Sequence, residues 1–144
     1  MGRFGNRYRL IFPLLLALSA VLPARAQQQG QYHVTNMPST FRGGTSEGGI
    51  ATYSPIKTIE DSTIQLRGDD GVTYTFTLDA ETVYCQGDTK VTDWSYLKSK
   101  VKKGTVTVLT KDDAHKNALV IWDREPKISM SNGLLVFALP PMCK

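Results

Sequence analysis

From Gly49 onward, apolar and polar positions alternate with a period of two rather than about 3.6, so the chain reads as strands. Residues 50–59 are rich in β-branched and aromatic side chains, and Pro55 within them marks an edge or a bulge. Asp61 and Ser62 make a turn. In 63–67, Ile64 and Leu66 fall on one face and Thr63, Gln65 and Arg67 on the other. Gly68-Asp69-Asp70-Gly71 has the chemistry of a tight hairpin turn. After it, Val72, Tyr74, Phe76 and Leu78 share a face opposite Thr73, Thr75 and Thr77, the clearest half-buried strand in the chain.

Residues 79–82 form another turn and 83–86 a short strand. The one helix candidate is 92–99, capped by Thr92 or Asp93, with Trp94, Leu97 and Val101 on a common face. Strands follow at 105–110, where Val106 and Val108 point together, and at 118–122, separated by a polar turn. Beyond Pro126, Ser131-Asn132-Gly133 joins 128–130 to 134–137 as a second tight hairpin. Five or six short strands near ten residues apart, with one short helix, predict a mainly β domain over 49–126: a small antiparallel barrel or a sandwich. Residues 127–144 are expected to pack on it as a hairpin and tail.

The N-terminal part has a different character. Arg3, Arg7 and Arg9 precede an apolar run from Leu10 to Leu22, and Ala24-Arg25-Ala26 offers a small-x-small cleavage pattern before Gln27. Residues 1–26 are therefore expected to be a cleaved signal peptide, the apolar run being short for a span of about 20 residues. No later stretch is long enough to cross a bilayer. Residues 27–48, glutamine- and glycine-rich with few apolar side chains, read as a flexible leader. Cleavage would remove four of the 17 basic residues and none of the 13 acidic ones. The exported chain would then carry no net charge, without the basic footprint of a nucleic-acid binder.

Two cysteines remain, Cys85 and Cys143. For a chain bound for an oxidising compartment, a single disulfide is favoured over two free thiols, and neither cysteine has metal-ligand neighbours in sequence.

Several shorter patterns carry a resemblance. Gly49-Ile50-Ala51 opens the first strand. Asp70-Gly71 precedes Thr73-x-Thr75-x-Thr77, and Asp79-Ala80-Glu81-Thr82 follows that strand. Asp93-x-x-x-Leu97, Lys103-Gly104-Thr105-Val106-Thr107-Val108 and Ala118-x-Val120 complete the set. On these residues the run from Gly49 to about Glu125 resembles a family of exported bacterial domains of unknown function with a small OB-like β-barrel. The resemblance implies a five- or six-stranded antiparallel barrel with one short helix and an exported location. It implies no reaction.

Candidate chemistry is sparse. Gly44-Thr45-Ser46-Glu47-Gly48 spells the G-x-S-x-G of a nucleophile elbow, but without the strand before it and the helix after it that make the motif work. His33 and His115 are far apart; His115 beside Asp112 and Asp113 reads as a solvated loop rather than a metal site. Asp69 and Asp70 lack the alternating ligands of a calcium loop. No cofactor is expected. The remaining candidates are a lysine run, Lys98, Lys100, Lys102 and Lys103, with Trp94, Tyr96 and Trp122 as aromatics for a ligand-binding face. The expected function is a non-enzymatic, periplasmic or secreted binding module for a cell-envelope protein or an anionic glycan. A structural or protein-interaction module without a small-ligand site is the alternative, and a hydrolase with dispersed catalytic residues a remote one, testable at His115.

Overall fold

A computed structural model describes residues 39–144. The expected signal peptide, 1–26, and residues 27–38 of the expected leader lie outside the described residues. The fold is mainly β. Among the described residues ten strands run in chain order: β1 Phe41–Gly44, β2 Ile50–Glu60, β3 Thr63–Arg67, β4 Thr73–Thr77, β5 Val83–Gln86, β6 Thr89–Val91, β7 Thr105–Thr110, β8 Val120–Trp122, β9 Lys127–Ser131 and β10 Leu134–Ala138. A 3₁₀ helix, Ser95–Lys100, precedes β7. Eight strands form one sheet in the order β4-β3-β2-β7-β8-β5-β6, with β1 on β2; β9 and β10 form a separate ribbon.

The long strand β2 organises the sheet. Its first half pairs with β1 and β7, its second half with β3, and the register shifts between Ile56 and Thr58. Pro55 is the last β2 residue paired with β7, so its missing N–H falls where the strand passes from one set of partners to the other. The bulge expected near Pro55 lies immediately after it.

Inside the curled sheet, Ile56, Ile64, Leu66, Phe76, Leu78, Val106, Val108 and Ile121 make the main core, and Leu97 of the 3₁₀ helix is fully buried among them. The period-two faces of 63–67 and 105–110 thus point inward as expected. Val72 differs: it is 45% exposed. It sits in the hairpin turn, where its carbonyl accepts the Gly68 N–H at 2.8 Å and its own N–H donates to Asp70 Oδ1 at 2.9 Å.

Three expectations are corrected. The barrel is not closed. β4 meets the segment leading into β8 at a single parallel bridge, Thr77 to Asn117, where Thr77 N–H donates to the Lys116 carbonyl at 2.8 Å and Ala118 N–H to the Thr77 carbonyl at 2.9 Å. Closure stops there because β5 takes the free edge of β8 in parallel, Val83 to Cys85 against Val120 to Trp122, and β6 extends the sheet further. Secondly, part of the stretch expected as leader is a strand. β1 pairs with β2, and Phe41 packs edge-on against Phe137 with ring centroids 5.8 Å apart. Thirdly, the expected helix over 92–99 is a 3₁₀ helix starting at Ser95, entered through a bond from Ser95 N–H to Asp93 Oδ1 at 2.7 Å. So short a segment gains too few backbone bonds to offset α-helix nucleation.

Candidate functional site

The entry to the 3₁₀ helix, the helix itself and the turn after it gather six of the seven residues expected on a binding face. Trp94, at the entry to the helix, lies half-buried against the main core. The Lys98 ammonium sits over its ring, 5.0 Å from the centroid, a cation–π contact. Tyr96 turns its ring inward and donates from Oη to the Cys85 carbonyl at 3.1 Å. Burial, then the nearby Asp123 carboxylate, drives the Tyr96 hydroxyl pKa far above its ordinary value. This phenol is a neutral structural donor.

The lysines separate by environment. Lys100 reaches Asp123 Oδ2 at 3.5 Å, and its stem lies over Gly104, where a Cβ would come within 3.0 Å of Lys100 Cβ. A side chain at 104 would therefore require the Lys100 stem to shift by a few tenths of an ångström. Lys98, Lys102 and Lys103 are exposed. Lys102 holds a positive φ of 62°, a region that L side chains seldom adopt. The turn keeps it there through Lys102 N–H to the Ile56 carbonyl at 2.9 Å and Gly104 N–H to the Lys100 carbonyl at 2.7 Å. Lys102 and Lys103 are thus displayed on a short, hydrogen-bonded turn.

Trp122 is not part of this face. It is 1% exposed and sits on the opposite side of β8 from Ile121, packed with Cys85 and Val120. Its indole N–H donates to the Pro141 carbonyl at 3.3 Å. Alternation along a strand buried on both faces explains the correction: Ile121 faces the main core, so Trp122 must face away from it, and the C-terminal tail covers it.

Cys85 and Cys143 stand at disulfide distance and are joined, with a Cα–Cα separation of 5.5 Å.

The G-x-S-x-G pattern forms a tight turn, not an elbow. Thr45 N–H donates to the Gly49 carbonyl at 3.1 Å and Thr45 Oγ1 to the Gly48 carbonyl at 2.6 Å, with β1 before the turn and β2 after it. His115 Nδ1 lies 2.7 Å from Asp112 Oδ1, which also accepts the Ala114 and His115 N–H groups, and these contacts hold the Asp112 carboxyl below its usual range. Asp113 instead pairs with Arg42. Among the described residues no group of three or more His, Cys, Asp or Glu side chains is placed to hold a metal.

Two features escape the sequence reading. Arg42 lies over the Tyr74 ring, 5.4 Å from its centroid, and with Asp113, His115 and Thr75 lines a shallow open groove beside β4. This depends on β1, which the composition hid. Secondly, the β9–β10 hairpin leaves Leu134 69%, Leu135 51% and Met130 49% exposed. A signal for that was present: Leu134 and Leu135 are adjacent, and a ribbon covered on one face cannot bury both.

No protein-family model matches this chain, no curated protein matches it, and no solved structure matches it.

Proposed function

We propose that this protein is an exported, non-enzymatic binding module that holds an anionic glycan of the cell envelope on the 3₁₀-helix face. The observation that carries the reading is the Lys98 ammonium over the half-buried Trp94 ring, beside the exposed Lys102 and Lys103. The Trp94 ring holds the Lys98 ammonium over its face, and with Lys102 and Lys103 this ammonium pairs with carboxylate, sulfate or phosphate substituents of the glycan. The positive φ of Lys102 fits this role, since strained backbone concentrates at binding sites. Lys100, engaged with Asp123, and Tyr96, bonded to Cys85, serve as supports for the face. The exported location, periplasm or medium, is supported by the joined Cys85 and Cys143, which an oxidising compartment favours.

Kinship with the exported family of OB-like domains is part of the same proposal. Its support is the β2-β3-β4 meander, the antiparallel β2-β7-β8 run and the parallel bridge from Thr77 to Asn117, which together suit a partly open Greek-key barrel.

The test is a thermal melt of residues 27–144 against sulfated, phosphorylated and uronic-acid glycans. A ligand that binds only the native state raises the midpoint as its concentration rises. A saturable rise is expected, lost in Trp94→Ala and in Lys98→Ala/Lys102→Ala/Lys103→Ala. A rise that both variants keep would remove the face from consideration.

A second reading, a protein-interaction module, is favoured by the apolar hairpin tip at Met130, Leu134 and Leu135, because monomers seldom expose such clusters. Leu134→Asn/Leu135→Asn separates the two: it abolishes partner capture under the second reading and leaves glycan-dependent melting intact under the first.

A further inference from the structure

The C-terminal residues 139–144 run across the outer face of the sheet. Cys143 is bonded to Cys85, the Trp122 indole N–H donates to the Pro141 carbonyl at 3.3 Å, and Lys144 pairs through its backbone with the β6 hairpin. In that pairing Lys144 N–H donates to the Asp88 carbonyl at 3.1 Å and Lys90 N–H to the Lys144 carbonyl at 2.9 Å. Beneath the tail lie Val120, Trp122 and Cys85, with Val83 and Leu109 at their edge and Leu139 packed over them. None of the main-core residues comes from the tail.

The non-covalent hold is thin. Pro140 and Pro141 have no N–H, so the tail cannot continue as a ladder along the sheet, and a few hydrogen bonds barely offset the ordering of six residues. Besides these bonds and the packing of Leu139, the Cys85–Cys143 link ties the tail to the sheet.

We propose that residues 139–144 are a redox-controlled strap, locked by the Cys85–Cys143 disulfide and released by a dithiol reductant to uncover an apolar sheet face centred on Trp122. Cys143 is half-buried and Cys85 fully buried, so Cys143 is the sulfur that an incoming thiolate reaches. The reductant thiolate attacks Cys143 Sγ, a new S–S bond forms to Cys143 as the bond to Cys85 breaks, and Cys85 leaves as a thiolate that takes up a proton. The second thiol of the reductant then attacks its own partner sulfur and releases Cys143 as a thiol. Two electrons pass to the protein disulfide, and the dithiol ends as a disulfide. The strap peels from Trp122, and the backbone groups of Asp88 and Lys90 lose their partners in Lys144.

Hydrogen–deuterium exchange on residues 27–144, oxidised and in dithiothreitol, tests this. Reduction is expected to strip protection from the Trp122 indole N–H and the Lys90 amide and to leave the Ile64 and Leu66 amides protected. In a Trp94→Phe background the emission of Trp122 should shift to the red. Cys85→Ser/Cys143→Ser should reproduce the reduced pattern without reductant. Unchanged protection at Trp122 after reduction overturns the strap. So does simultaneous loss at Ile64 and Leu66, because the disulfide would then be holding the whole domain rather than the tail.

Discussion

At the scale of single residues, polar groups inside the sheet set the sharpest expectations. Thr52 is buried on β2 opposite Val108, and its hydroxyl is without a hydrogen-bond partner. Leaving a buried hydroxyl unpaired costs about 1–3 kcal/mol, so Thr52→Val, which keeps the shape and removes the group, should raise stability by about 1 kcal/mol in urea unfolding. Tyr96 behaves in the opposite sense. Its folded pKa lies above the ordinary value of 10.0, first through burial and then through Asp123, so the folded state retains a proton that the unfolded chain gives up. The stability it contributes is fully present below pH 10.0 and is lost as the pH rises beyond it. Alkaline melts should therefore drop more steeply for the wild type than for Tyr96→Phe. The variant itself loses the bond to Cys85, about 1 kcal/mol at neutral pH.

Elements show how local pattern and partner choice divide the work. β3 and β4 form where alternation places them, because each buries one apolar face, and β7 does so with its Val106 and Val108 face while Thr107 is buried on the other. β1 is the reverse. Phe41-Arg42-Gly43-Gly44 has little to bury by itself and exists as a strand because β2 offers an edge and Phe137 covers Gly43. A Cβ at Gly43 would come within 2.8 Å of the Phe137 ring. Gly43→Ala should thus loosen the contact between β1 and the β9–β10 ribbon and destabilise by about 1–3 kcal/mol, read by chemical denaturation. Deleting residues 39–48 to test the leader would remove this strand, so experiments on the leader belong to 27–38. The second hairpin follows its turn chemistry: Asn132 and Gly133 adopt φ of 51° and 79°, the pair of positive values that the tight turn requires.

For the whole molecule, the link between Cys85 and Cys143 is the largest single constraint, spanning 58 positions of the chain. Chain-entropy reasoning assigns such a closure about 4 kcal/mol. The reduced protein should melt cooperatively but at a lower temperature, which calorimetry with and without reductant measures. Ion pairs contribute little by comparison, because Arg42 with Asp113 and Arg124 with Asp88 lie at the surface, where solvent and salt screen them. Raising the salt concentration should leave the melting midpoint nearly unchanged.

The chain by itself determined what depends on neighbours in sequence. Period-two patterning set the strands and the inward faces of Ile64, Leu66, Val106 and Val108, while Asp70-Gly71 and Asn132-Gly133 set the two tight turns. The cysteine count pointed to their pairing. Tertiary structure decided whatever depends on which edges and faces meet. β5 took the edge of β8 that closure needed, so the sheet stayed open. A sheet covered on both sides sent Trp122 under the tail, while Trp94 stayed with the lysines. The glycine-rich run before Thr45 became a strand once β2 and Phe137 received it. Side-chain alternation is a property of one strand and can be read locally, whereas pairing and coverage are competitions among distant segments, settled only when all of them are present.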